Sequence, residues 1–311
     1  MTGRREFLIA AGALPLAAAR ELPSEASVRI EEICRVPSYC EGVVFDREGF
    51  AYISWGRFIS RIGPDGKPAN WAETGAPNGH KILADGTHLV CDASQHAVLH
   101  LDANGKVLGK AASECDGKPL RGPNDLTLDP KGGFYFTDPG GSGKDKPIGT
   151  IHHVDRGGKV TLCASGLAFP NGIVLRPGGK KLLAGESQHN RILEFGVRSP
   201  GSLSPQRVFC ELPAKGPGQI DNQPDGICLD AAGNLYVAHY GMRQVQVVSP
   251  KGAVIRRYPG GNLTTSNVAF GGEAMDTVYI TGAIGIEGKD QGGFFRLRLP
   301  GVRGLKILPA R

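Results

Sequence analysis

The chain lacks the charge excess of a nucleic-acid surface: over 311 residues the net charge is only +6, and it is dispersed. It has no C-x-x-C pair, which argues against a zinc site built from its seven cysteines. Beyond the first twenty residues no apolar run approaches the ~18 residues of a membrane-crossing helix, so no stable membrane anchor is expected. Sustained 3.6-residue amphipathic periodicity is also missing, which removes helical folds. Neither a Gly-x-Ser-x-Gly elbow nor a glycine-rich loop opening a helix occurs, which removes two common routes to nucleophilic-serine and phosphate chemistry. The length itself excludes a small disulfide scaffold.

Glycine and proline are abundant, with 46 and 22 residues, while 40% of the chain is hydrophobic, so the composition is that of a folded protein with frequent turns. The N-terminus carries Thr2-Gly3-Arg4-Arg5-Glu6-Phe7-Leu8, then an apolar stretch from Ile9 to Ala19 ending in three alanines. Paired arginines directly before an apolar run read as a twin-arginine export signal over residues 1–19. The expected organisation is therefore this signal followed by one domain over 20–311, periplasmic or secreted, with the twin-arginine (Tat) export machinery as a partner. The odd cysteine count leaves at least one thiol unpaired; Cys34 and Cys40 are close enough in sequence to bridge in an oxidising compartment.

A repeating unit organises the rest of the chain: apolar strand, glycine turn, apolar strand, polar loop, strand, glycine turn. Its copies begin at Cys40-Glu-Gly-Val, Pro77-Asn-Gly-His, Pro123-Asn-Asp-Leu, Pro170-Asn-Gly-Ile, Pro224-Asp-Gly-Ile and Ser266-Asn-Val-Ala. Anchored on Glu41, Asn78, Asn124, Asn171, Asp225 and Asn267, the intervals are 37, 46, 47, 54 and 42 residues. Known propeller blades repeat at about 40 to 50 residues. The sequence thus predicts an all-β, six-bladed β-propeller with a central metal site, each blade a four-stranded antiparallel meander. A terminal strand must close the ring, with Ser27 to Pro37 as the first candidate and Leu305 to Leu308 as the other.

Meander geometry sends the loops entering the innermost strands, and those joining strands two and three, to one face. That face gathers the six anchors with Asp125, joined by Trp55, Asp92, Asp138, Glu186 and His239. The glycine pairs, such as Glu48-Gly49 and Asp85-Gly86, fall on the other face as turns. Carboxylates and amides around one mouth of a channel suit a hard cation and a small organic ligand. The loop from Pro139 to Gly149 reads as a lid or specificity loop.

At these anchors the sequence resembles the gluconolactonase and senescence-marker-protein (regucalcin) family of metal-dependent lactonases, over roughly Cys40 to Arg298. The segment from Asp116 to Pro139 carries the most specific likeness, supported by Phe169-Pro-Asn-Gly172, Gln223-Pro-Asp-Gly-Ile227 and Ser266-Asn-Val-Ala-Phe-Gly-Gly272. The resemblance implies one divalent ion, most simply Ca2+, with Zn2+ or Mg2+ compatible, held by Glu41, Asn171 and Asp225. It places Asn124 on the metal or on the substrate. Gly122 stands where the regucalcin branch has an arginine, which puts a substrate role for Arg121 in doubt.

The function this implies is opening of a lactone, with Asp225 as candidate base, metal polarisation of the carbonyl and attack by an activated water. Asn124, Asn78, Asp138, His239 and Asn267 are candidate substrate contacts, and the expected ligand is a lactone or sugar acid. Two alternatives keep the fold: an organophosphate-ester hydrolase of the diisopropyl fluorophosphatase type, and a non-catalytic periplasmic binding propeller.

Overall fold

The computed structural model describes residues 21–286 and 291–305. The export signal proposed for residues 1–19 lies outside these, as do residues 306–308 of the second closing candidate. Among the described residues the only helical segments are short 3-10 turns at Glu25–Ser27 and Ser187–His189, and no helix is long and apolar enough to cross a membrane.

Six antiparallel sheets of four or more strands form the body. The first blade comprises Cys40–Phe45, Ala51–Trp55, Phe58–Ile62 and Pro68–Glu73, and the second Pro77–Ile82, His88–Asp92, Ala97–Leu101 and Val107–Ala112. The third runs Leu126–Asp129, Gly133–Asp138, Gly149–Val154 and Val160–Leu167. The fourth has Pro170–Leu175, Lys181–Glu186, Arg191–Ser199 and Arg207–Glu211, with Ser202–Leu203 as an added short strand. The fifth contains Gln223–Leu229, Leu235–Tyr240, Gln244–Val248 and Val254–Pro259. Thr264–Gly271, Thr277–Ala283 and Gly292–Arg298 make the sixth, and Ile30–Val36 from the N-terminal side pairs antiparallel with Gly292–Arg298 as its outer strand. The first closing candidate is therefore the strand observed. From the other end Gly304 bridges Asp230, and Leu305 N–H donates to Leu229 O at 3.0 Å, bracing the fifth blade.

The first strands of successive blades lie against one another around the ring, and the sixth returns to the first. Six apolar clusters fill the six inter-blade layers. Ile53 and Phe294, for example, join the sixth blade to the first, and Phe136 and Val98 the third to the second. Because a blade is sandwiched on both faces, its inner strands are buried throughout, as in Pro170–Leu175 and His88–Asp92, and the alternation of buried and exposed residues fades there. Outer strands such as Val107–Ala112 are mostly exposed.

Polar bonds stitch neighbouring inner strands at the level of the anchors. Ser54 Oγ donates to Asn78 O at 2.9 Å, Thr137 Oγ1 to Asn171 O at 2.9 Å, Ser187 Oγ to Pro224 O at 2.6 Å and Ser266 Oγ to Cys40 O at 2.7 Å. On the opposite face, aspartates such as Asp46, Asp102 and Asp155 accept backbone N–H groups two and four residues ahead, making the glycine turns. All seven cysteines are free thiols, so the Cys34–Cys40 bridge is not formed. Burial pushes the thiols of Cys40, Cys91 and Cys228 upward, which makes them poor nucleophiles.

Candidate metal centre

Of the four implied ligands, Glu41, Asn171 and Asp225 lie near the start of three different inner strands, and Asn124 lies just before a fourth, Leu126–Asp129. Glu41, Asn171 and Asp225 are buried, and Asn124 is half-buried. Glu41 and Asp225 come from blades far apart in sequence, yet one hydroxyl serves both: Tyr39 Oη donates to Glu41 Oε1 at 2.5 Å and lies 3.5 Å from Asp225 Oδ2. Asn267 Nδ2 donates to Glu41 Oε2 at 3.3 Å, and Gly42 N–H to the same oxygen at 3.2 Å. Burial pushes the Glu41 carboxyl up to about 7; the bonds from Tyr39 and Asn267 pull it down, and the nearby Asp125 charge pushes it up again.

Asn124 Oδ1 is buried and has no hydrogen-bond partner. An orphaned amide oxygen costs free energy unless something accepts its lone pairs, and a divalent cation does so. Among the described residues no three Asp, Glu, His or Cys side chains cluster as a metal site. The candidate centre is instead two carboxylates completed by amides, an all-oxygen donor set that suits a hard cation.

The sixth anchor is displaced by one step. Val268 N–H donates to Asn267 Oδ1 at 2.9 Å as Leu126 N–H does to Asp125 Oδ1 at 2.8 Å, so Asn267 stands where Asp125 does and Ser266 holds the ring position. In the other four blades that next step is Gly42, Gly79, Gly172 or Gly226. A β-carbon at Gly42 would overlap the Asn78 carbonyl oxygen, and one at Gly226 the Asn267 side chain. Two blades thus spend this step on polar side chains and four on close inter-blade approach. Asn78 contributes its backbone oxygen to that approach.

Asp138 was expected to meet substrate, but its carboxylate is occupied by its own blade: it accepts Arg121 N–H at 2.9 Å and Gly122 N–H at 2.7 Å, and it is 2% exposed. Asp92 holds Gly75 and Ala76 in the same way, and Glu186 holds Ala168. These strand-end acids cap the loops that enter the inner strands. The Pro139–Gly149 loop is bonded to the body of the third blade at two points. Ser142 Oγ donates to Leu167 O at 3.1 Å and accepts Phe169 N–H at 2.7 Å, while the Arg121 guanidinium donates to Ile148 O. This clamp helps hold Phe169 at a φ of +60°, a strained setting directly before Pro170 and Asn171.

His239 is not offered to a bound molecule. It is fully buried, with Nε2 2.8 Å from Asn190 Oδ1 and Nδ1 3.2 Å from Gln246 Nε2. Burial lowers its pKa to about 4, against the raising effect of a hydrogen bond to the Asn222 backbone and with a smaller push down from Arg257. A folded-state value below the ~6.5 of an unfolded histidine means that stability is present above pH ~6.5 and lost as the pH falls toward 4, by about 3 kcal/mol in all. Urea midpoints measured between pH 7 and 4 should fall less steeply for His239→Gln than for the wild type; equal slopes would contradict this assignment.

Two residues at the centre had no assigned role from sequence: Tyr39, and Lys81, whose Nζ lies 3.8 Å from Asp125 Oδ1. The repeat alignment held a signal for Lys81, a lone cation at the strand position of Val44, Thr127, Val174 and Cys228. A separate groove of about 460 Å3, lined by Asp46, Arg61, Trp71 and His88 among others, opens between the first two blades at the glycine-turn face, away from the anchors.

A propeller with acid and amide side chains converging on one end of its channel defines a class, and the comparisons identify it. Residues 40–284 match the model of the SMP-30/gluconolactonase/LRE-like region, so the chain belongs to that family. Lactonase drp35 of Staphylococcus aureus (strain USA300) is 28% identical over 261 residues, 81% of this chain and 77% of that protein. Diisopropyl-fluorophosphatase of Loligo vulgaris is 25% identical over 244 residues, 68% and 75% of the two chains. In fold, a gluconolactonase of Xanthomonas campestris superposes with a TM-score of 0.76 at 24% identity, covering 89% of this chain and 91% of its own. Regucalcin of Agrobacterium tumefaciens, described as a calcium-binding protein, gives 0.75 at 22%, covering 90% and 96%.

Proposed function

We propose that this chain is a metal-dependent hydrolase of lactones, acting in the periplasm or outside the cell after twin-arginine export. The observation that carries the metal reading is the orphaned Asn124 Oδ1 on the same ring as the buried carboxylates of Glu41 and Asp225. Glu41, Asn124, Asn171 and Asp225 would hold the ion, with calcium favoured by the oxygen donors. When bound, the ion supplies a Lewis acid for the ester carbonyl. Asp225 takes the proton of the attacking water, and Tyr39 fixes the carboxylate pair through its shared hydroxyl. The packed inter-blade layers prevent water from reaching the ring from the sides.

Similarity to the squid diisopropyl-fluorophosphatase supports a second reading in which the same ring acts on phosphorus esters. Aldonolactones, simple γ-lactones and an organophosphate, each assayed before and after chelation, separate the two. Lactone turnover that disappears with chelator and returns with Ca2+ is expected. Turnover of the organophosphate alone would favour the second reading, and turnover indifferent to chelator would reject the metal.

A further inference from the structure

Lys81 lies on the inner strand of the second blade, at the position where other blades carry Val44, Thr127, Val174 or Cys228. Its side chain is only 20% exposed. Nζ donates to His80 O at 3.1 Å and lies 3.8 Å from Asp125 Oδ1 on the third blade. Its charge is also felt at Cys91 in its own blade and at Cys228 in the fifth, a reach across the ring that a group near the channel axis has. A lysine at this step costs desolvation that valine or threonine does not, and the charge of the buried Asp125 carboxylate offsets that cost.

We infer that Lys81 is a fixed counter-charge of the channel, which sets the acidic ring to the charge of one divalent ion. When ionised to meet a cation, Glu41, Asp125 and Asp225 bring three negative charges and Lys81 returns one positive, leaving two. A +2 ion then completes a neutral centre, and before the ion arrives Lys81 limits the repulsion among the carboxylates. The inference rests on the metal reading above and adds to it a charge-matching residue that touches neither ion nor substrate.

The test uses the mature protein stripped of metal and titrated with Ca2+ by calorimetry and with Tb3+ by luminescence. Losing one unit charge at ~8 Å from a +2 ion changes its binding by about tenfold at an effective dielectric of about 60, as in a water-filled channel, and by more where the channel is drier. Lys81→Met is therefore expected to bind Ca2+ about tenfold more tightly, and to favour Tb3+ over Ca2+ by about a further threefold, because the site is then three charges short. Its metal-free form should melt lower, with a larger rise on adding Ca2+. Lys81→Arg should restore wild-type behaviour. Asp125→Asn should weaken Ca2+ binding about tenfold, and the double variant Lys81→Met/Asp125→Asn should return near the wild-type value. Asp125→Asn supplies the test if Lys81→Met does not fold.

A purely structural lysine would move melting temperatures while leaving Ca2+ affinity and Tb3+ preference within twofold of wild type, and that result would overturn the inference. If the wild type takes up Ca2+ but the variants bind it equally, the Lys81 role alone fails. If the wild type takes up no divalent ion, the metal reading fails and the counter-charge role with it.

Discussion

Asp225→Asn is expected to lower kcat/KM on a γ-lactone about a thousandfold, within the range that loss of a positioned general base produces. The substitution keeps the shape of the side chain and one oxygen on the ring, so the inter-blade packing should survive and Tm should move by no more than about 3 °C. What it removes is one of two buried carboxylates within reach of the Tyr39 hydroxyl, and with it the proposed proton acceptor and half of the charge proposed to ligate the ion. Calorimetry should show weaker Ca2+ binding in the same variant. Activity at the wild-type rate would eliminate Asp225 as the base and force the proton onto another group.

The sequence allowed the architecture to be read because every blade repeats the same compromise. The step after each anchor is glycine in four blades, and the adjoining strand ends carry polar residues at a fixed spacing, so the period survives even where side chains differ. The ring positions of five blades were legible for the same reason: the anchor there is Glu, Asn or Asp at a regular interval. The closing strand was legible because Val28, Ile30 and Ile33 form an apolar series ahead of the first anchor with no blade of their own.

Side-chain direction was less legible. Asp138, Glu186 and His239 sit at the correct end of the correct strands, and spacing alone assigns them to the mouth. In the structure the two acids turn back to hold backbone N–H groups, and His239 turns aside toward Asn190. Loop geometry decides between these directions, and it depends on the chain between the repeats, where the spacing varies most. The one-step displacement of Asn267 has a similar origin. Blade six has neither the proline before nor the glycine after its anchor position, whereas every other blade has at least one of them, and the irregularity in its pairing falls between Thr265 and Asn267. Lys81 needed a different kind of attention, since an unexpected residue type within an otherwise aligned strand is the clue that a repeat search discards.

Gly42→Ala is expected to destabilise the protein by about 4 kcal/mol and lower Tm by about 10 °C. Two costs combine. Gly42 has a φ of +58°, in the left-handed region where a β-carbon costs about 1–2 kcal/mol. The added methyl would also overlap the Asn78 carbonyl oxygen and come within 3.1 Å of Ser54 Oγ, the pair whose bond joins blades one and two. A backbone carbonyl cannot swing aside as a flexible side chain does, so the blades must separate. Gly49→Ala isolates the first cost, because Gly49 has a φ of +89° on the turn face and nothing within 4 Å of the new methyl. It should lose only about 1 kcal/mol. Gly42 adjoins Glu41, so Gly42→Ala should also weaken Ca2+ binding while Gly49→Ala leaves it unchanged. Equal stability losses in the two variants would show that close approach of the inner strands contributes nothing beyond backbone conformation, and would remove the packing argument for glycine beside the ring.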